Sequence, residues 1–266
     1  MGRRRAPLAE LAAYADDYLR IREVADEPNA VNGLQVENRG AVTRIVAAVD
    51  ASQATIDGVA ASLGPDGDAP LLLVHHGLLW DGNQPVTGRR YRRLATLLAH
   101  DIALYAAHIP LDLHPEVGNN ARLAARLGLA VEGWFGSYRG QAIGVWGTAP
   151  PGLEDRSSVL AAVDRALGGA ASLARLIPGG PERVSRIGII TGGAGSMIGA
   201  ARRAGLDLFI TGEGAHHTYF DAMEGGINVI YAGHYATETL GVQALAEHLG
   251  QRFGLPWEFH DHPTGL

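Results

Sequence analysis

The chain has no cysteine. That removes disulfides, thiolate metal sites and cysteine nucleophiles together, so any metal ion would have to be held by imidazole and carboxylate. No apolar run approaches the ~20 residues of a membrane span, and no charged-then-apolar leader precedes the first helix. A cytoplasmic protein is the expectation. Positive charge is also in short supply: 22 basic against 28 acidic residues give a formal charge of −6, which argues against nucleic acid as a partner. The run Arg3-Arg4-Arg5 reads as a frayed, solvated terminus. Neither a Gly-x-Ser-x-Gly elbow nor a P-loop occurs, which sets aside serine hydrolases and P-loop nucleotide hydrolysis. What is present is 266 residues with 47% hydrophobic and 19% charged content, enough for one large α/β domain or two smaller lobes.

The stretch with most chemistry is Leu71-Leu-Leu-Val-His-His-Gly-Leu-Leu-Trp80. Its apolar start reads as a buried strand running into two histidines. Successive side chains on a strand point to opposite faces, so His75 and His76 share a cavity only if the backbone turns, here at Gly77. Such a cavity would lie at the strand's carboxyl end, where open α/β sheets bind ligands.

The remaining elements alternate. Leu8, Leu11, Ala12, Ala15 and Leu19 lie on one helical face. Arg44–Val49 is a strand, and Ser52 caps a helix that carries Ile56, Val59, Ala60 and Leu63 inward. After a loop at 64–70 and the His-His strand, Tyr91, Leu94 and Leu98 mark a helix. A strand from Ile102 ends in His108-Ile-Pro-Leu-Asp112, and a helix starts at Asn119 or Asn120. Residues 133–150 read as an antiparallel hairpin, with a boundary at Pro150-Pro-Gly152. Helix 156–167, strand 186–191, a helix through Ala204, strand 208–211, helix 218–223 and strand 228–232 follow. A last helix presents Val242, Leu245 and Leu249 on one face. This order argues for largely parallel sheets.

An internal repeat organises the order. Arg44-Ile-Val-Ala-Ala-Val aligns with Arg186-Ile-Gly-Ile-Ile-Thr, Leu72-Leu-Val-His-His-Gly77 with Phe209-Ile-Thr-Gly-Glu-Gly214, and Tyr105-Ala-Ala-His108 with Tyr231-Ala-Gly-His234. Four residues beyond each of the last two histidines stands a carboxylate, Asp112 in one copy and Glu238 in the other. His-x-x-x-Glu suits neighbouring positions on a helical turn. Were the copies to pack about a pseudo-twofold, His75, His76, Asp112, His234 and Glu238 would converge. Alone, each piece reads as a core or surface residue; together they point to a metal site, since so many polar groups at strand ends are hard to bury without partners.

Asn32-Gly-Leu-Gln-Val36, His75-His-Gly77, His108-Ile-Pro-Leu-Asp112 with Gly118-Asn-Asn120, Thr211-Gly-Glu213 and Gly233-His-Tyr-x-x-Glu238 resemble the YbgI-like, NIF-three-like family, whose members carry the label GTP cyclohydrolase type 2 homolog. The resemblance spans roughly residues 28–245. It implies two related, interlocked α/β lobes (1–128 with 234–266, and 129–233) around a dinuclear metal site, with subunits assembled as a hexameric ring. The 133–180 segment is too short for the extra domain of longer members. It also implies that His75, His76, Asp112, His234 and Glu238 ligate two divalent ions, with Zn, Fe, Mn, Co and Ni all open. Two such ions bring four positive charges and the two carboxylates return two, so an anionic substrate is expected. The reading is a hydrolase of a small phosphorylated or nucleotide-like substrate, with Glu213, His216 and His217 as candidate catalytic proton carriers. A non-catalytic metal carrier or metal-responsive regulator would use the same five ligands. Gly192-Gly-Ala-Gly-Ser196 could hold a phosphate at a helix start or simply form a tight turn. His108 is read as orienting Asp112 or lining the cavity, Trp80, Trp134 and Trp146 as core or interface, and His260 and His262 as residues of a tail.

Overall fold

A computed structural model of the chain describes residues 4–64, 68–168 and 174–265. Arg3 and the centre of the expected loop, residues 65–67, lie outside the described residues. The chain forms two units, one from the residues up to Leu111 with Val242–His262, the other from Asp112–Gly241 with Pro263–Leu266.

In chain order the elements are β1 (Ala6–Pro7), α1 (Leu8–Tyr18), β2 (Gly33–Val36), β3 (Ala41–Val42), β4 (Arg44–Asp50), α2 (Gln53–Ala61), β5 (Pro70–His76), α3 (Gly88–Ala99) and β6 (Ala103–Ala106). There follow α4 (Ile109–Asp112), α5 (Asn119–Arg126), β7 (Gly133–Tyr138), β8 (Gln141–Thr148), α6 (Arg156–Ala166), β9 (Arg175–Pro178) and β10 (Arg186–Ile189). The chain then continues through α7 (Ile198–Arg203), β11 (Leu208–Thr211), α8 (Thr218–Met223), β12 (Asn228–Tyr231), α9 (His234–Phe253) and β13 (Trp257–Phe259).

The first unit carries a five-stranded sheet in the order β13-β4-β5-β6-β2, the second a six-stranded sheet in the order β7-β8-β10-β11-β12-β9. Within the first, β4, β5 and β6 run parallel with Val46 opposite Leu72 and Leu72 opposite Leu104. Within the second, β10, β11 and β12 run parallel with Gly188 opposite Phe209 and Phe209 opposite Val229. These are the strands paired by the internal alignment. The duplication reaches further than the aligned segments, because each copy also has an earlier strand lying antiparallel on its third: β2 on β6, and β9 on β12.

Burial explains why these segments take these forms. Leu8, Leu11, Ala12 and Ala15 are the buried face of α1, as their spacing requires. Ser52 accepts the Thr55 N–H and caps α2, whose Ile56 and Val59 enter a core with Val46, Leu72 and Leu104. The second unit has its own core around Leu123, Val145, Val159, Ile187, Leu208 and Ile230.

Several elements differ from the sequence expectation. The short strands β1, β3 and β9 had no periodic signal, and β13, which pairs parallel with β4, forms just before the expected tail, whose His260 donates its backbone N–H to Ala47. Helix α3 exists but is rotated: Leu97 is fully buried, whereas Tyr91 and Leu98 are 59% and 65% exposed. Leu97 enters the core with Ile102 and Leu104, Leu94 packs against it, and Arg90 on the same face bonds the Asp81 carboxylate and the Gly82 and Gln84 carbonyls. The stripe Arg90, Leu94, Leu97 thus faces inward. Truncation of Leu97 to Ala is therefore expected to cost roughly 2–5 kcal/mol in chemical denaturation, and Leu98→Ala no more than about 0.5 kcal/mol. Equal losses from both would refute this helix orientation.

Candidate metal centre

The carboxyl ends of β4, β5 and β6 bring three imidazoles together. The ring centres of His75 and His76 are 4.8 Å apart, and that of His108 lies 5.0 and 5.6 Å from them. One ring nitrogen of each falls within 4.8 Å of the others. Trp80 meets the His108 ring edge-on at 4.9 Å, so it borders this cluster rather than filling a core.

Each ring is held by its Nδ1. That of His75 is 2.8 Å from the Ala107 carbonyl, that of His76 2.9 Å from Asp50 Oδ1, and that of His108 2.8 Å from Asp26 Oδ1. Carbonyl and carboxylate oxygens only accept, so each Nδ1 carries the proton and donates, which directs the lone pair to Nε2. This is the arrangement by which proteins set the tautomer of metal-binding histidines. Asp26 is itself fixed by the Asn32 amide and the Ile109 N–H. Burial pushes the Asp26 carboxyl up, but hydrogen bonds from His108, Asn32 and the Glu27 backbone outweigh it and hold it below the usual range.

The second unit repeats the device. His234, at the start of α9, places Nδ1 2.8 Å from Glu213 Oε1, while Nε2 faces Glu238 Oε2 at 3.3 Å. Asp112 is buried, accepting from the Asn119 amide at 2.8 Å and from the Thr191 hydroxyl at 3.4 Å. The Gly241 N–H bonds the Asn119 carbonyl at 2.6 Å and so orients that amide toward Asp112.

Two glycines owe their place to this packing. A Cβ on Gly192, which also has φ +69°, would overlap the Glu238 carboxylate. The 192–196 loop is thus pressed against the donors. Gly77 has no positive φ; it is small because the Gln35 amide rests on it and accepts the Leu78 N–H.

A family model described as Duf34/NIF3 (NGG1p interacting factor 3) matches residues 7–264. The chain belongs to the DUF34/NIF3 family. A Deinococcus radiodurans member named "GTP cyclohydrolase 1 type 2 homolog" is 42% identical over 259 residues, covering 97% of this chain and 94% of that protein. Among solved DUF34/NIF3-like folds, the protein ybgI is 41% identical with a TM-score of 0.84, over 98% of this chain and all of its own. A Thermus thermophilus protein, TTHA1606, is also 41% identical with a TM-score of 0.83 over the same shares.

Of the residues singled out in this family member's sequence, His75 and His76 are neighbours, His234 and Glu238 form an ion pair, and Asp112 is buried among hydrogen-bond donors. Glu213 stands on His234 Nδ1. His216 and His217 are exposed beyond it. Sequence reasoning missed the anchors Asp26, Asp50, Asn119 and Thr191; His108, read as orienting Asp112 or lining the cavity, stands on Asp26 beside the His75–His76 pair. For Asp50 a signal existed, since parallel β4 and β5 place it opposite His76.

The hydrogen bond to Glu238, opposed by burial and reinforced by Glu213, raises His234 from 6.5 to about 9. The stabilisation this gives is complete below pH 6.5 and is lost as pH rises through about 9. A metal ion on Nε2 must displace that proton, so loading at pH 7.5 releases acid. In Glu238→Gln the His234 midpoint, followed by NMR, should fall towards 6.5; an unchanged midpoint would refute the assigned pairing.

Proposed function

We propose that His75, His76, Asp112, His234 and Glu238 hold two divalent metal ions, and that the protein is a metal-dependent hydrolase of a small phosphorylated or nucleotide-like substrate. The observation that carries this reading is the repeated Nδ1 anchor, which assigns Nε2 of His75, His76 and His234 as the coordinating nitrogen, in His234 once the proton it shares with Glu238 is displaced. Imidazole with carboxylate and no thiolate suits Zn, Fe, Mn, Co or Ni. Bound ions of this kind act as Lewis acids and lower the pKa of coordinated water to near ~7. The protein's own part is to hold the donors and to move protons. Glu213 keeps His234 in register while its side chain stays half exposed, and with His216 and His217 it would take or give a proton. The relatives' printed name, "GTP cyclohydrolase 1 type 2 homolog", agrees with chemistry on a nucleotide.

Protein purified without added metal should contain about two equivalents, with losses in His75→Ala and Glu238→Ala. Asp50→Asn, which weakens only an anchor, should lower metal affinity by roughly 10–100-fold. Full occupancy in all three variants would end the ligand assignment. Turnover of nucleotides and phosphate esters by the metal-loaded parent, lost in Asp112→Asn, tests the hydrolase itself. Metal retained without any turnover would leave a carrier or regulator in its place.

We further read the assembly as a homo-oligomeric ring of six, following the resemblance; exposed Tyr91, Leu98 and Trp134 offer apolar surface for it. Light scattering should return six times the 28.0 kDa chain mass, and a monomer at micromolar concentration would remove this part.

A further inference from the structure

An open groove of about 360 Å³ lies in the second unit, lined by Gly214, His216, Thr218, Tyr219, Phe220 and Tyr231 among others. Three of its side chains form a ring assembly. Phe220 meets His216 edge-on at 5.8 Å and Tyr219 at 5.4 Å, with interplanar angles of 81° and 90°. Tyr219 and Phe220 are about half exposed, so their faces remain available to a ligand. The hydroxyls of Thr218 and Tyr231 bond each other. Gly214 is required here, because a Cβ would overlap the Tyr231 hydroxyl.

The groove's place in the fold suggests its occupant. Parallel β11 and β12 pair Thr211 with Tyr231, so the groove and the His234–Glu213 pair share one carboxyl edge of the sheet. Glu213, which holds His234, immediately precedes Gly214 at the groove mouth. A volume of this size suits a small molecule rather than a helix or a second chain. Aromatic faces beside few free polar groups favour a flat ring over a sugar or a bare anion.

We propose that this groove seats a planar aromatic ring, such as the base of a nucleotide, by stacking on Phe220 and Tyr219, and that it confers ring specificity on the neighbouring donors. Ring binding stands on the groove alone; that the ring belongs to the metal site's substrate rests on the function proposed above. The test separates the two by titrating the full-length protein with adenosine, adenosine 5′-monophosphate and ribose 5-phosphate. Adenosine should bind parent and Glu238→Ala alike, since it has no phosphate to present to a metal. Phe220→Ala and Phe220→Leu should each weaken adenosine roughly tenfold or more, while Phe220→Tyr restores it and ribose 5-phosphate is unaffected by all three. The monophosphate should bind better than adenosine only in the metal-loaded parent. Adenosine binding that is absent from the parent, or unchanged in Phe220→Ala and Phe220→Leu, overturns the groove assignment whatever becomes of the hydrolase. A change of molecular mass in those variants would instead make the groove a contact between copies and likewise overturn it. Intact ring binding with no advantage for the monophosphate leaves the groove standing and counts against the metal-site reading.

Discussion

A histidine serves a metal ion only through a nitrogen that carries a lone pair, and which nitrogen that is depends on what the other one holds. Among the described residues, the imidazoles of His75, His76, His108 and His234 have Nδ1 on an oxygen acceptor: Ala107 carbonyl, Asp50, Asp26 and Glu213. Much of the surrounding detail serves those contacts. Asn32 bonds both Asp26 and the His108 backbone N–H, so the turn before β2 exists partly to hold one anchor. Gln35, packed on Gly77, fixes the backbone just beyond the His-His pair. The glycines of the 192–196 loop let the main chain press against Glu238.

The duplication gives these anchors a common origin with changed roles. His108 and His234 occupy equivalent positions at the ends of β6 and β12, and each hands Nδ1 to a carboxylate. The carboxylates are not equivalent. Glu213 aligns with His76, so a position that is an imidazole in one copy became an anchor in the other, while Asp26 comes from a segment before the first copy begins. One unit is thereby rich in imidazole and the other in carboxylate.

Strand ends were legible because apolar runs stopping at histidines are visible in one dimension, and the repeat confirmed their order. The ligand candidates were legible for the same reason. What stayed hidden depends on long-range pairing. Asp26 and His108 are 82 positions apart, and no spacing rule connects them. Strand β9 is four residues ending in proline, held by pairing with β12 rather than by its own pattern. In α3 the leucines at 94, 97 and 98 allow two faces, and packing against the long-range core of Ile102 and Leu104, with the Arg90–Asp81 contact, decides between them. The two histidines near the C-terminus belong to a region ordered by β13, whose partner β4 lies some two hundred positions earlier.

The anchors also change the electrical character of the proposed centre. Two divalent ions bring four positive charges; Asp112 and Glu238 return two, and Asp26, Asp50 and Glu213 return three more. Counted with its supports, the loaded centre is close to neutral, and the empty one is strongly negative. An anion would be repelled by the carboxylates alone, and the loaded centre would hold it only at short range, through direct coordination to the ions. Metal would therefore have to arrive before any anionic substrate, and an anionic product would leave without a deep electrostatic well to climb.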